Sequence, residues 1–491
     1  MRKRLSTLVD GLEGATRAGP DVWVEDVVTD SRRVTSNALF VALRGDRTDG
    51  HRFLEGALAA GAAALLVEGA ENPVPRAAPH VRVPNTRVAL PQVAARIHDH
   101  PGESMTLVGV TGTNGKTSTV RMLEAILRSG GRRAGSLTTI SLRSGATELP
   151  SELTTPEADS LQRSLARMRD SGDETAILEV SSHALVRDRV GTLHFAVAIF
   201  TNLSQDHLDF HGDMQRYEEA KRDLFTPRYL KGTAIVNGDD SAGRGLIAAL
   251  QRAERPLVTF GRGPGTEADV RTIEEHVRLE GARMVVEDRS DRYEVTVPLP
   301  GDFQVSNALA AISAARTLGV DPQAIVRGLR DCPPVPGRLE RVSDDLPVVL
   351  VDYAHTPDAL DRVLASIRPL VKGRLLVVFG CGGDRDRGKR ALMAQAACRN
   401  CHYVIATSDN PRTESPEAIL KEVAKGLSGE HSIIPDRRSA IAEAVEMAEL
   451  DDVVVIAGKG HETQQLVGSD RLPFDDREEA RAALRARESR R

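Results

Sequence analysis

The segment Leu107-Val108-Gly109-Val110-Thr111-Gly112-Thr113-Asn114-Gly115-Lys116-Thr117 joins a β-branched run to a glycine-rich turn and then to Gly-Lys-Thr at the start of a helical pattern. The backbone N–H groups of such a turn, together with the positive end of the helix, attract phosphate oxygens. In that arrangement Lys116 reaches the β- and γ-phosphates of a nucleotide, and the Thr117 hydroxyl is suited to ligate Mg²⁺. Val110 stands where the strict GxxxxGK[ST] pattern has its first glycine, so the strand–turn–helix context carries the inference alongside Gly-Lys-Thr. Gly112, Thr113, Asn114, Gly115, Lys116, Thr117 and Ser118 are the candidate ATP-phosphate residues.

Two further strand ends carry chemistry. Leu178-Glu179-Val180-Ser181-Ser182-His183 puts an acid at a strand tip, where phosphate-loop enzymes place a second metal contact. By itself Glu179 would serve equally well as a helix cap or a surface acid. His207 follows another strand and sits among carboxylates, in Asp206-His207-Leu208-Asp209; spacing alone leaves metal binding and a structural role open. Lys221, in Tyr217-Glu218-Glu219-Ala220-Lys221, reads locally as an ordinary helix-surface lysine.

The elements that must position these groups form an alternating series. Strands are predicted at 107–110, 177–180, 197–200, 348–351, 375–379, 404–406 and 453–456, separated by amphipathic helical patterns such as 117–128. Strands alternating with helices imply parallel sheets with helical crossovers, and ligands of such sheets lie outside the carboxyl ends of the strands. A proline-bearing stretch from 71 to 91, followed by His100-Pro101-Gly102, and a stiff Cys332-Pro333-Pro334-Val335-Pro336-Gly337 break punctuate the chain. They divide its 491 residues into 1–101, 102–336 and 337–491, and about three domains is also what the length implies.

Composition excludes several classes. Lys plus Arg is 65 against 70 Asp plus Glu, a net charge of −5, so there is no global basic footprint for nucleic acid. Aromatics at 3% argue against a stacking platform for bases or sugars. No run approaches the roughly 20 apolar residues of a membrane span. The basic amino terminus lacks the apolar stretch of a signal peptide, so a cytoplasmic protein is expected. Cys398 and Cys401 form one CxxC, but Cys332 and Cys381 supply no matching pair, so neither a zinc site nor a disulfide framework is expected. No Ser-His-Asp or Cys-His arrangement for nucleophilic catalysis is evident.

Taken in order, Thr29-Asp30-Ser31-Arg32, Thr111–Thr117, Glu179–His183, Asp206-His207, Asp352-Tyr353-Ala354-His355, Gly382–Arg390, Asp409-Asn410-Pro411-Arg412 and Gly458-Lys459-Gly460-His461-Glu462 resemble the Mur ligase family over essentially the whole chain. The resemblance implies a three-domain α/β fold: a central P-loop ATPase parallel sheet flanked by an N-terminal UDP-binding α/β domain and a C-terminal Rossmann-like domain. It implies that Lys116, Glu179, His207 and Lys221 are catalytic and that Lys221 is carbamylated (N6-carboxylysine). Thr117, Glu179, His207 and the modified Lys221 would then hold Mg²⁺. It further implies that Asn307, Arg338 and His355 contact ATP, with Asn307 on the adenine side. Ser31, Thr154, Thr155, Ser181, Arg187 and Arg189 would bind a UDP-sugar peptide.

The Asp409–Arg412 motif resembles that of the family's 2,6-diaminopimelate-adding members. A guanidinium can grip the far carboxylate of that amino acid with two parallel hydrogen bonds. Arg385, Asp409, Asn410, Pro411, Arg412, Gly458 and Glu462 are accordingly implied as its binding residues. The implied activity joins meso-diaminopimelate to UDP-N-acetylmuramoyl-L-alanyl-D-glutamate through an acyl phosphate, using ATP, in the peptidoglycan synthesis on which cell shape and division depend. A monomer acting on small-molecule substrates is expected. Leu153, Arg187 and Gln304 depart from the usual family pattern. Rival readings are a lysine-adding ligase, which Arg412 disfavours, a folylpolyglutamate synthase-like ligase, which the Asp30-Ser31-Arg32 segment disfavours, and a non-enzymatic nucleotide-binding protein.

Overall fold

The computed structural model describes residues 2–490 apart from 46–47, 70–71, 76–77, 290 and 344–346. Residues 71, 76 and 77 of the proline-bearing stretch therefore lie outside the described residues. Among the described residues the strands form three principal sheets, one in each third of the chain.

The first sheet has the order Thr16–Ala18, His80–Val83, Ala64–Glu68, Ala38–Val41 and Asp26–Val28, parallel except for the first strand. Behind it lies the helix Thr86–Ile97, which starts where the Asn85 side chain accepts from the N–H groups of Arg87 and Val88. Pro91 lies inside this helix, so the break read across 71–91 ends before residue 86. The missing N–H of Pro91 forfeits one helical bond, and burial of Leu90, Val93, Ala94 and Ile97 on the sheet offsets that loss.

The central sheet is eleven-stranded. Ala134–Leu137, Thr175–Glu179, Thr106–Thr111, Phe195–Phe200, Leu230–Asn237, Leu257–Gly261 and Val270–Arg278 run parallel. Successive residues face opposite layers. Val108, Val110, Ile177 and Ile199 enter one core with the helices Lys116–Ser129 and Phe303–Thr317, whereas Leu107, Ala176, Leu178 and Phe200 enter the other. Burial on both faces is why these strands read as continuous apolar runs. The sheet is parallel through its centre and antiparallel at both edges. A hairpin of Ser141–Ser144 and Thr147–Pro150 closes one edge, and a meander of Val270–Arg278, Gly281–Asp288 and Asp291–Val297 closes the other. Thr147–Pro150 is exposed at every position and the meander strands alternate buried with solvated residues, so neither reads as a strand buried on both faces.

The third sheet has the order Glu340–Arg341, Val348–Asp352, Val453–Ala457, Leu375–Cys381, Tyr403–Ser408 and His431–Ile433, parallel except for its first strand. The Cys332–Gly337 segment runs without helix or strand between Pro322–Arg330 and Glu340–Arg341, as its prolines require. The strands predicted from sequence are all present, most of them one to three residues longer than read, and the one read at 177–180 runs instead from Thr175 to Glu179. Where the first and central sheets meet, Arg163 pairs with Asp26 at 2.8 Å and the Thr29 hydroxyl reaches Asp159 at 3.4 Å. Among the described residues no helix is long and apolar enough to cross a membrane.

Candidate functional site

The strand Thr106–Thr111 ends in a loop that needs its glycines. Gly112 has φ of 144° and Gly115 of 85°, conformations that side chains other than glycine's rarely adopt. A Cβ on Gly112 would collide with the Thr201 hydroxyl, and one on Gly115 with Asn307 Oδ1. The loop is clamped by the neighbouring strand end. Asn114 N–H donates to Asn202 Oδ1 at 3.0 Å, Asn202 Nδ2 returns a bond to Asn114 O at 3.1 Å, and the Thr201 hydroxyl donates to the same carbonyl at 2.7 Å. Lys116 folds back along the loop, with Nζ on the carbonyls of Gly112 at 2.9 Å and Thr113 at 2.8 Å. Burial lowers its pKa, while Glu179 and Asp206 act in the opposite direction.

Glu179 is 1% exposed, which excludes the surface-acid reading. Its Oε1 accepts from the Thr117 hydroxyl at 2.7 Å and from Thr139 N–H at 3.0 Å, and its Oε2 from the Thr139 hydroxyl at 3.1 Å. Thr154 is reached through the Thr139 hydroxyl at 3.0 Å. Thr155 donates to Glu179 O at 2.7 Å and accepts from Ser181 N–H at 3.1 Å, and Arg189 braces this strand end through Thr155 O at 2.8 Å and Glu157 at 2.6 Å.

Lys221 is not a surface lysine either: it is 2% exposed, its Nζ donates to Gly112 O at 2.8 Å, and it lies 4.4 Å from the centre of the Tyr217 ring. Burial, followed by the adjacent Lys116 charge, holds its pKa well below the usual lysine value. His207, at φ 54°, has its ring 4.7 Å from that of His183 and 6.2 Å from that of Tyr217. Burial lowers its pKa and Asp206 opposes the shift.

The loop opens into a crevice of about 470 Å³ between the central and third sheets. Lys116, Thr117, Glu179 and His207 line it from one side, Arg338 and His355 from the other. Arg338 lies 4.6 Å over the Tyr353 ring. His355 Nδ1 is 2.9 Å from Tyr353 O, and its own carbonyl accepts from Lys389 at 3.0 Å. Asn307 also lines the crevice, at the loop next to Gly115, and donates to Gln304 Oε1 at 2.9 Å. Ser31, Ser181, Arg187 and Arg189 do not line it. Ser31 begins a short turn capped by Asp30 in the first third of the chain, and the Arg187 guanidinium is 5.0 Å from the Phe210 ring.

The carboxyl-terminal motifs meet at adjoining strand ends of the third sheet, and the Gly458 N–H donates to Asp352 O at 3.1 Å. Arg412, at φ 52°, sends Nη1 to Gly383 O at 2.8 Å. Burial lowers its pKa and Arg385 adds to that, while Asp409 and Glu462 oppose it. Asn410 Nδ2 donates to Glu462 Oε2 at 2.9 Å, and the carbonyl of Pro411 lies against Gly383. Two cations and two carboxylates thus share one patch, a charge set that suits both ends of an amino acid carrying an extra carboxylate.

Sequence reasoning missed Thr139, Asn202 and Lys459. Thr139 carries no local signal beyond polarity, Lys459 stands inside the Gly458–Glu462 motif but had no role assigned there, and Asn202 follows a predicted strand end but lacks a charge.

Fold and crevice together define a three-domain α/β protein with a nucleotide-phosphate loop facing a second, doubly wound domain. Residues 24–98 match the Mur ligase family catalytic domain, residues 110–315 the Mur ligase middle domain and residues 337–460 the Mur ligase glutamate ligase domain. The chain belongs to the Mur ligase family. It is similar to the UDP-N-acetylmuramoyl-L-alanyl-D-glutamate–2,6-diaminopimelate ligases of Gloeobacter violaceus, at 44% identity over 97% of this chain and 96% of the relative, and of Geobacillus kaustophilus, at 42% over 95% and 98%. A solved structure of a ligase of that name matches at 36% identity with a TM-score of 0.65, covering 95% of each chain. The MurF ligase of Thermotoga maritima in complex with ADP shares the fold, with a TM-score of 0.67 at 20% identity over 95% of this chain and 99% of that one.

Proposed function

We propose that this chain is an ATP-dependent amide-bond ligase that adds meso-diaminopimelate to UDP-N-acetylmuramoyl-L-alanyl-D-glutamate in peptidoglycan synthesis. The observation that carries the reading is the pairing of a phosphate-loop crevice with the Arg412–Arg385 and Asp409–Glu462 charge patch on the domain across it. The names of relatives above 40% identity support the same substrate.

A carboxylate is a poor acyl donor. Its oxygen therefore attacks the γ-phosphorus of ATP, forming a P–O bond as ADP leaves, and the product is an acyl phosphate. The amine of diaminopimelate then attacks the acyl carbon, loses a proton, and phosphate departs with its C–O bond pair. Lys116 offsets charge on the transferred phosphoryl group. Asn307, Arg338 and His355 hold the nucleotide from the crevice walls. Ser31, Thr154, Thr155, Ser181, Arg187 and Arg189 bind the nucleotide-sugar peptide. Arg412 and Arg385 take the distal carboxylate of the amino acid, Glu462 and the Gly458 backbone take its distal ammonium, and Asp409, Asn410 and Pro411 complete the site around them.

The Thr117 hydroxyl and Glu179 carboxylate, 2.7 Å apart at the loop, are the hard oxygen donors that Mg²⁺ prefers. An unmodified Lys221 ammonium offers no lone pair, whereas its carbamate would add an oxygen donor beside His207. When bound, the metal supplies charge neutralisation and orientation at the phosphates. The domain limits 1–101, 102–336 and 337–491, a cytoplasmic location and a monomeric state complete the proposal.

A coupled assay of ADP release, with the nucleotide dipeptide and either meso-diaminopimelate or L-lysine, tests it. We expect turnover with diaminopimelate and at least tenfold lower kcat/KM with lysine. Equal rates would remove the specificity, and no turnover with any amino acid would leave a nucleotide-binding protein.

A further inference from the structure

Lys459 is the residue of the carboxyl-terminal site that the proposed chemistry does not use. It follows Gly458, it is 0% exposed, and its ammonium lies beneath the charge patch. An ammonium has three donors. All three are spent on the protein: Asn410 Oδ1 at 3.1 Å, Glu462 Oε2 at 3.0 Å and Gln464 O at 2.7 Å. No donor is left for a ligand, so whatever Lys459 does for the amino acid it does through these partners.

Each partner bears on the patch. Asn410 Oδ1 accepts from both Lys459 and Leu466 N–H, the latter at 3.0 Å. Neither donor can accept a bond in return, so the amide has one orientation, with Nδ2 turned to Glu462. Glu462 Oε2 takes Asn410 and Lys459 together, which commits one carboxylate oxygen to the protein and turns the other away from it.

The third partner opens the hairpin Gln464–Val467 and Asp470–Pro473. That hairpin grips the specificity loop along its backbone. Gln465 Nε2 donates to Asp409 O at 2.6 Å, Arg412 N–H to Leu466 O at 2.9 Å, and Gly468 N–H to Arg412 O at 2.6 Å. Arg412 is held at a positive φ, uncommon for a residue with a side chain, by bonds to both its N–H and its C=O.

We propose that Lys459 is the positioning residue of the amino-acid site, orienting Asn410 and Glu462 and anchoring the hairpin that sets the backbone of Arg412. This rests on the amino-acid site assigned under the proposed function. It adds that recognition of the zwitterion depends on a buried cation that never touches it.

The test compares Lys459→Met, which keeps the aliphatic stem and removes the donors, with the wild-type enzyme. The KM for meso-diaminopimelate is expected to rise at least tenfold, with the KM values for ATP and the nucleotide dipeptide within twofold and kcat at saturation within threefold. Lys459→Arg, which keeps the charge with a different donor geometry, is expected to raise the same KM at least threefold, and it carries the test if the methionine variant does not fold. An unchanged KM for diaminopimelate, or three KM values rising together, would overturn the role. Hydrogen–deuterium exchange supplies an arm independent of turnover. Residues 409–412 and 464–468 are expected to exchange at least tenfold faster in the variant, while 107–118 do not change. If the wild-type enzyme does not use diaminopimelate, the functional reading falls by itself; unchanged exchange at 409–412 and 464–468 removes the positioning role whichever amino acid is used.

Discussion

Lys116 and Lys221 donate to one carbonyl, Gly112 O, at 2.9 and 2.8 Å. Two ammonium groups on one acceptor in a buried site repel each other, and the one deeper in the fold releases its proton more easily. Burial and Lys116 accordingly hold Lys221 well below the usual lysine pKa, and a neutral amine is the form that adds carbon dioxide to become a carbamate. Lys221→Ala is expected to lower kcat at least a hundredfold, with partial recovery on adding bicarbonate or a short carboxylic acid, measured by ADP release. Activity within threefold of wild type would remove the role. The family resemblance pointed to this role but the local pattern of Tyr217–Lys221 did not, because a helix pattern tells which residues share a face and not what covers that face. Glu179 teaches the same lesson: its place at a strand tip was readable, but its near-complete burial depends on Thr117 and Thr139 closing over it.

At the scale of elements, the motif-bearing strand ends are tied together from below. Arg437 and Asp476 are both 0% exposed and paired at 2.7 Å. The guanidinium also donates to Ser408 O at 3.3 Å and Ala457 O at 3.0 Å, the last residues of the two strands that lead into Asp409–Arg412 and Gly458–Glu462. Removing one member of such a pair strands a buried charge, whereas removing both does not. Arg437→Met is therefore expected to cost about 3–5 kcal/mol in urea denaturation followed by circular dichroism, and Arg437→Met with Asp476→Leu to cost less than that single change. A single-variant loss below about 1 kcal/mol, the range of surface ion pairs, would show that the pair does not hold the strand ends. The strands themselves were legible from apolar runs buried on both faces. The 141–150 and 464–473 hairpins were not, because solvated antiparallel strands show no such runs.

At the scale of the whole molecule, the phosphate loop and the amino-acid motifs belong to different sheets, and the third sheet's domain faces the loop across one crevice through Arg338, Tyr353 and His355. An acyl phosphate is hydrolysed wherever water reaches it, so productive binding requires the two domains to draw together. Small-angle scattering is expected to show a smaller radius of gyration with a non-hydrolysable ATP analogue and the nucleotide dipeptide than without them. An unchanged radius would exclude closure. The net charge of −5 is compatible with anionic substrates because the positive charge is local, at Lys116, Arg338, Arg385 and Arg412.

By itself the sequence determined the phosphate loop, the parallel strands and the strand-end motifs, all of them written in runs of a few residues whose backbone conformation follows from local pattern. Tertiary structure decided which side chains became buried partners. Lys221 finds Gly112 across 109 residues, Thr117 finds Glu179 across 62, and Lys459 finds Asn410 across 49. Periodicity along the chain says which way a side chain faces. What it meets there is settled only when distant segments pack, because burial and pairing belong to the folded whole.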